Sequence, residues 1–279
     1  MQKRFITTSI LAAYKEYLIS EDRSPATIEK YIRDVAAFAE YVQMSEITKD
    51  AVLAYKRQII QNYAARSVNS MLSSVNSLFA FLRWHDLKVK TLKIQRQIFC
   101  SEEKELTKAE YARLCEAAEM RSERLKLILQ TICGTGIRVS ELQYITVEAA
   151  KQGEAVVNCK AKTRIIFIIK ELRKKLLRYA AEQNIKTGMI FITKAGNPIN
   201  RTNIWREMKS LCKAANVNPQ KVFPHNLRHL FARVFYGIEK DIAKLADILG
   251  HSSINTTRIY IVSTGAEHRC RMENMRLIL

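Results

Sequence analysis

The chain has 279 residues, enough for two domains at roughly 150 residues each and for a sizeable core in both. Hydrophobic residues make up 48% and charged residues 26%, and no apolar run approaches the ~18 to 20 residues that cross a bilayer, which argues against a membrane protein. With 46 Lys+Arg against 27 Asp+Glu the formal charge is +19, a balance that calls for a polyanionic partner, nucleic acid before others.

Both halves share this charge: 15 basic and 9 acidic residues precede residue 98, and 31 and 18 follow, so the halves carry +6 and +13. That pattern fits contact with a polyanion along the whole length better than a single basic tail. After the charged opening MQKRFITTSI there is no apolar stretch of signal-peptide length and no small-residue cleavage site. Six cysteines (Cys100, Cys115, Cys133, Cys159, Cys212, Cys270) lie far apart without a C-x-x-C pair, which speaks against a zinc ribbon or a disulfide scaffold. They read as reduced thiols of a cytoplasmic protein.

In chain order, no glycine occurs before Gly134 and Pro25 is the only proline among the first 98 residues, so that stretch is predicted to be almost wholly helical. Apolar stripes run through Leu11, Tyr14 and Leu18, and from a Ser24 cap and Pro25 through Ile28, Tyr31, Ile32, Val35, Phe38, Ala39 and Val42. Two more follow, through Val52, Tyr55 and Ile59 and through Val68, Met71, Leu72, Val75, Leu78, Phe79 and Leu82. Four helices make a compact bundle over residues 1–86, their aromatic residues serving as core. Periodicity then fades over 87–104, where Lys88, Lys90, Lys93 and Arg96 precede Ser101-Glu-Glu-Lys-Glu. This reads as a basic inter-domain linker, lying along a phosphate backbone or simply solvated.

Thr107 and Glu110 have the spacing of a capping box and open a second domain, 105–279. It is predicted to be mostly helical, with β runs at Glu154–Cys159 and Arg164–Ile169 and a short one at Met189–Thr193.

Four stretches of this domain interrupt apolar patterns with polar residues. In Cys133-Gly134-Thr135-Gly136-Ile137-Arg138-Val139-Ser140-Glu141-Leu142 a tight glycine turn opens a helix, whose free N–H groups and Arg138 suit a phosphate. It lacks the Gly-Lys-Ser/Thr of a P-loop and the third glycine of a dinucleotide fingerprint, and alone reads as a structural turn with a surface arginine. The β runs flank a short basic turn that places Lys160 or Lys162 well clear of its own sheet, where solvent exposure is the default reading. In Phe223-Pro224-His225-Asn226-Leu227-Arg228-His229, His225 and Arg228 fall on one helix face and can address one phosphate. His225 and His229 are four apart, but the glutamate of H-E-x-x-H is missing and Arg228 would repel a metal, so His229 is expected to be buried and hydrogen-bonded. Finally, Leu249-Gly250-His251 ends one helix, and Tyr260 follows nine residues later; by itself this is a capping turn and a half-buried tyrosine.

Together, T-G-I-R-V-S-E-L, H-N-L-R-H, and L-G-H followed nine residues on by Tyr260 resemble the signature of the tyrosine site-specific recombinases, phage-type integrases and Xer-like recombinases. The match spans the second domain in order and spacing, and the helical first half resembles the core-binding domain of that family. The resemblance implies a mainly α fold with a small antiparallel β-sheet, a helical core-binding domain joined to a mixed α/β catalytic domain. It implies Tyr260 as nucleophile, Arg138 and Arg228 clamping the scissile phosphate, and His225 and His251 supplying hydrogen bonds and proton transfer. Glu141 would support Arg138, and a hairpin lysine would be general acid for the 5′ oxygen. Lys160 is the first choice; the turn is one residue shorter than the common K-G-x-K-x-R form, so Lys162 stays open, and Phe167 stands where many members have proline. No arm-binding domain is expected before the core-binding one.

The implied activity is cleavage and rejoining of DNA through a 3′-phosphotyrosyl link, in integration or excision of a mobile element or in Xer-like resolution. The implied partner is double-stranded DNA with paired inverted half-sites, bound by a homotetramer on two duplexes. A tyrosine of pKa about 10 is a poor nucleophile, so two fixed guanidinium charges on the phosphate make chemical sense. Neither metal, ATP nor another cofactor is expected. A catalytically silent DNA-binding regulator and a type IB topoisomerase are the alternatives; the Xer-like box order and the short tail after Tyr260 weigh against the latter. The apolar end of that tail, Leu277-Ile278-Leu279, is expected to be buried, in its own domain or in a neighbouring subunit.

Overall fold

The computed structural model describes residues 3–43, 45–94, 104–159, 162–193, 195–260 and 273–275, the side chains of Cys159 and Lys162 excepted. Lys160, the later half of the expected linker and residues 276–279 of the tail therefore lie outside the described residues. The chain divides into two compact units, Met1–Arg96 and Gln97–Leu279. No helix among the described residues is long and apolar enough to cross a membrane.

The first unit is built from α1 (Thr8–Ser20), α2 (Pro25–Val42), α3 (Lys49–Asn62) and α4 (Ala65–Phe81). Thr7 and Thr48 cap α1 and α3 by accepting the N–H groups of Ile10 and Ala51. Pro25 occupies the first position of α2, but the Ser24 hydroxyl meets Thr27 Oγ1 at 2.8 Å and caps no helix N–H. The expected stripes bury one core, in which Phe38 packs edge-on against Tyr55 and Phe79.

Residues 87–94, expected as the start of a linker, lie against these helices, with Leu87 and Val89 buried. Asn76 brackets Val89, donating to its carbonyl and accepting its N–H, and Asn69 does the same for Leu92. The two asparagines are two helical turns apart on α4, so they serve an extended segment much as a neighbouring strand would. Lys49 and Lys56 add bonds to the carbonyls of Asp86, Lys88 and Lys90.

In the second unit, Thr107 and Glu110 form the expected capping box at the start of α5 (Lys108–Glu119), followed by α6 (Glu123–Thr135). A 3-10 helix, Val139–Tyr144, leads to α7 (Val147–Gln152) and to the antiparallel hairpin of β1 (Glu154–Cys159) and β2 (Lys162–Phe167). Pairing from Glu154↔Phe167 to Cys159↔Lys162 places β2 two residues earlier than the expected Arg164–Ile169. The reason lies at the hairpin mouth, where Ile168 already closes onto the Gly153 carbonyl and Ile169 caps α8 (Lys170–Glu182). Met189–Thr193 is not a strand: it makes only isolated bridges, Thr146↔Met189 and Ile192↔Pro198. Its apolar character comes from Ile190 and Phe191, which enter the core without a ladder. The chain continues through α9 (Arg201–Ser210), α10 (Pro224–Glu239), α11 (Ile242–Leu249) and α12 (Ile254–Arg258). The expected class is what the fold shows: mainly α, with a small antiparallel sheet.

Candidate active site

The glycine turn after α6 closes that helix and leads into the 3-10 helix, where an α-helix N-terminus was expected. Gly136 sits at φ +65°, and a Cβ there would come within 2.5 Å of the Phe231 ring, so the position is closed to larger residues on both counts. Two residues on, Arg138 projects from the 3-10 N-cap with its side chain 39% exposed. The Glu141 carboxylate, 2% exposed, accepts the Arg138 backbone N–H (2.9 Å), the Arg138 guanidinium (2.8 Å) and the Arg164 guanidinium (2.5 Å). Burial alone would raise its pKa, but these donors and charges outweigh it and hold the carboxyl below its usual range.

Pro224 starts α10, which carries His225 and Arg228 one turn apart. Arg228 is the bulkiest fully buried side chain described, 1% exposed. Its guanidinium donates to the carbonyls of Gly136 (2.5 Å) and Leu249 (2.6 Å) and meets His251 Nε2 at 3.0 Å. Burial and then Arg138 push its pKa down to about 10, which still leaves a cation at neutral pH.

Three successive carbonyls at the end of α11 are each held by a different arginine: Ile248 by Arg164, Leu249 by Arg228, and Gly250, at 3.4 Å, by Arg138. A helix C-terminus leaves its last carbonyls unpaired and carries partial negative charge, which makes it a natural seat for clustered guanidinium groups. Gly250 (φ +65°) ends the helix, and a Cβ there would strike Arg164. His251 then turns inward with Nδ1 2.9 Å from Thr257 Oγ1.

Tyr260, expected to be half-buried, is 5% exposed. Its hydroxyl lies 3.2 Å from His225 Nε2, and its ring lies tilted against those of His229 (4.2 Å) and His251 (5.3 Å). His229, expected to be buried and hydrogen-bonded, is half-buried and packs against the rings of both His225 and Tyr260. His225 is exposed as a whole residue, but partial desolvation of its imidazole and then the nearby cations Arg228, Arg138 and Arg201 lower its pKa. For His229 and His251 burial is again the first cause, reinforced by neighbouring histidine and arginine groups, and both fall to about 4.

Arg138, His225, Arg228, His251 and Tyr260, drawn from separate stretches, thus meet in one place with Glu141 behind Arg138. Beside them opens a cleft of about 560 Å³ lined by Arg138, Ser140, Arg201, Trp205, His225 and Arg228. Three contributors were missed in the sequence. Arg164 faces inward from β2, in a strand whose run of apolar residues gives no alternation to mark it. Arg201 and Trp205 share a face of α9 behind an Asn200 cap, a pattern that an ordinary surface helix also shows.

The model of the phage integrase family matches residues 104–267, more than half of the chain, and that of the phage integrase N-terminal SAM-like domain matches residues 11–86. The chain belongs to the phage integrase family. Its curated relatives include the tyrosine recombinase XerA of Pyrococcus horikoshii, 28% identical over 99% of this chain and 97% of that protein. Another is the tyrosine recombinase XerH of Campylobacter jejuni, 36% identical over 49% of this chain and 40% of that protein. Among solved structures, the XerA recombinase crystal structure aligns with TM-score 0.55 and 26% identity over 98% of this chain and all of that one. A lambda integrase dimer bound to a COC′ core site aligns with TM-score 0.76 and 19% identity over 92% and 95% of the two chains, a likeness of fold. With the family shown, the expected class, a tyrosine recombinase of the Xer type that breaks and rejoins DNA, is the class of this enzyme.

Proposed function

We propose that Tyr260 attacks a DNA phosphodiester while His225 takes its proton, and that Arg138 and Arg228 hold the phosphate in the cleft. The observation that carries this reading is the Tyr260 hydroxyl 3.2 Å from His225 Nε2, on the same helical face as the buried Arg228. His225 with a lowered pKa is neutral at neutral pH, as a proton acceptor must be. Arg228 Nε has no hydrogen-bond partner among the described residues, a buried N–H that a phosphate oxygen can satisfy.

Attack forms the bond from the tyrosine oxygen to phosphorus and breaks the bond to the 5′ oxygen, which takes a proton from Lys160 or from Lys162. The phosphotyrosyl link conserves the energy of the broken ester, so resealing by a 5′ hydroxyl from the partner strand needs no ATP. Residues 1–86 act as the core-binding domain, 87–104 as the connection, and 105–279 as the catalytic domain. The working assembly is a homotetramer on two duplexes with inverted half-sites, acting in the cytoplasm on a mobile element or at an Xer-like resolution site.

Duplexes selected by binding from random sequence and nicked next to the scissile position test the reading. Wild type should become covalently trapped and Tyr260→Phe should not, with similar DNA affinity. Stoichiometric binding without trapping by wild type would instead mark a silent regulator.

A further inference from the structure

Thr257 is fully buried on α12, three residues before Tyr260, and its carbonyl accepts the Tyr260 N–H at 2.9 Å. Its hydroxyl is 2.9 Å from His251 Nδ1, while the other ring nitrogen, Nε2, is 3.0 Å from Arg228 Nη2. A guanidinium only donates, so Nε2 accepts, and the neutral ring must carry its hydrogen on Nδ1, where the Thr257 oxygen accepts it. With that hydrogen placement His251 has nothing to donate toward the cleft.

We infer that Thr257 is a positioning residue that sets which ring nitrogen of His251 carries the hydrogen, and so whether His251 accepts from Arg228 or donates to a phosphate. Without DNA, Thr257 accepts from Nδ1–H. When a phosphate draws the Arg228 guanidinium away, the hydroxyl rotates and donates to Nδ1, and Nε2–H then faces the phosphate. The ring stays neutral: one proton leaves Nδ1 for water and one is taken up from water at Nε2. A hydroxyl serves both states because it is donor and acceptor in one group; valine, of the same shape, serves neither. The low pKa of about 4 agrees with a ring that stays neutral. The inference rests on the proposed place of His251 at the phosphate.

The experiment compares full-length wild type, Thr257→Val and Thr257→Ser on a nicked suicide duplex, with DNA affinity measured alongside. Valine should slow covalent trapping by about 10- to 100-fold, less than the loss of a direct donor, with affinity unchanged, and serine should restore most of the rate. Equal rates for valine and wild type, or serine as slow as valine, would overturn the inference. Nitrogen NMR of the His251 ring in DNA-free wild type at neutral pH decides it even if the valine variant does not fold: hydrogen on Nδ1 is expected, and hydrogen on Nε2 sinks it. Absence of trapping by wild type itself would instead count against the recombinase reading, leaving the ring measurement to judge Thr257.

Discussion

The Tyr260 hydroxyl and His225 Nε2 lie 3.2 Å apart, although the two residues are 35 positions apart in the chain, His225 on α10 and Tyr260 in the turn after α12. Two features hold the pair: Pro224, which sets the start of α10, and the Thr257 carbonyl, which fixes the Tyr260 backbone. The distance is that of a hydrogen bond, as the proposed transfer of the Tyr260 proton to His225 requires.

His225→Ala should therefore slow formation of the covalent protein–DNA adduct by about 100- to 10,000-fold, the span of general base catalysis, with little change in DNA affinity. The check is the rate of adduct formation on denaturing gels under single-turnover conditions. A rate near that of wild type would move the proton acceptor to another group.

Arg138 and Arg228, proposed to hold the phosphate, should separate in a paired measurement. Arg138→Ala removes a partly exposed side chain and is expected to lower cleavage by at least about 100-fold while the melting temperature stays close to wild type. Arg228→Ala loses the same catalysis and also orphans the buried Gly136 and Leu249 carbonyls, so its melting temperature should fall markedly. Calorimetry beside cleavage assays reads both; equal melting temperatures would contradict the structural role of Arg228.

The contrast between these arginines shows where the sequence was legible. Motif spacing placed Arg138, Glu141, His225, Arg228, His251 and Tyr260 on turns and helix faces, because those depend on local chain geometry. It could not show that Ile248, Leu249 and Gly250 would each offer a carbonyl to an arginine, since every residue has a carbonyl and none is marked in advance. Arg164 was hidden because Ile165, Ile166 and Phe167 make both faces of β2 look apolar, with Ile165 and Phe167 in fact exposed. The 87–94 segment escaped for a similar reason, its backbone being held by two asparagines of α4 that read as ordinary polar positions.

The histidines predict a pH dependence of definite sign. His229 and His251 have folded-state pKa values near 4 against 6.5 in the unfolded chain, so between those limits the unfolded state binds protons that the folded state refuses. Stability is therefore intact above pH 6.5 and drains away as pH falls toward 4. Denaturant titrations across that window should show the loss, and His251→Asn should show less of it than wild type. Flat stability between pH 6.5 and 4 would contradict the neutral ring.

The leaving 5′ oxygen needs a proton, and two lysines of the hairpin compete to supply it. The paired register runs to Cys159↔Lys162, so Lys162 is the first paired residue of β2. Lys160 and Lys162, the two candidates for general acid, are separable by chemistry. An ordinary 5′ alkoxide needs a proton to depart, whereas a 5′ thiolate, with its much lower pKa, does not. Lys160→Ala should slow cleavage of the normal ester and regain most of the rate when the 5′ bridging oxygen is replaced by sulfur. Lys162→Ala should behave alike on both substrates. If sulfur rescues Lys162→Ala and leaves Lys160→Ala slow, the acid is Lys162; if it rescues neither, the proton reaches the leaving oxygen from outside the hairpin.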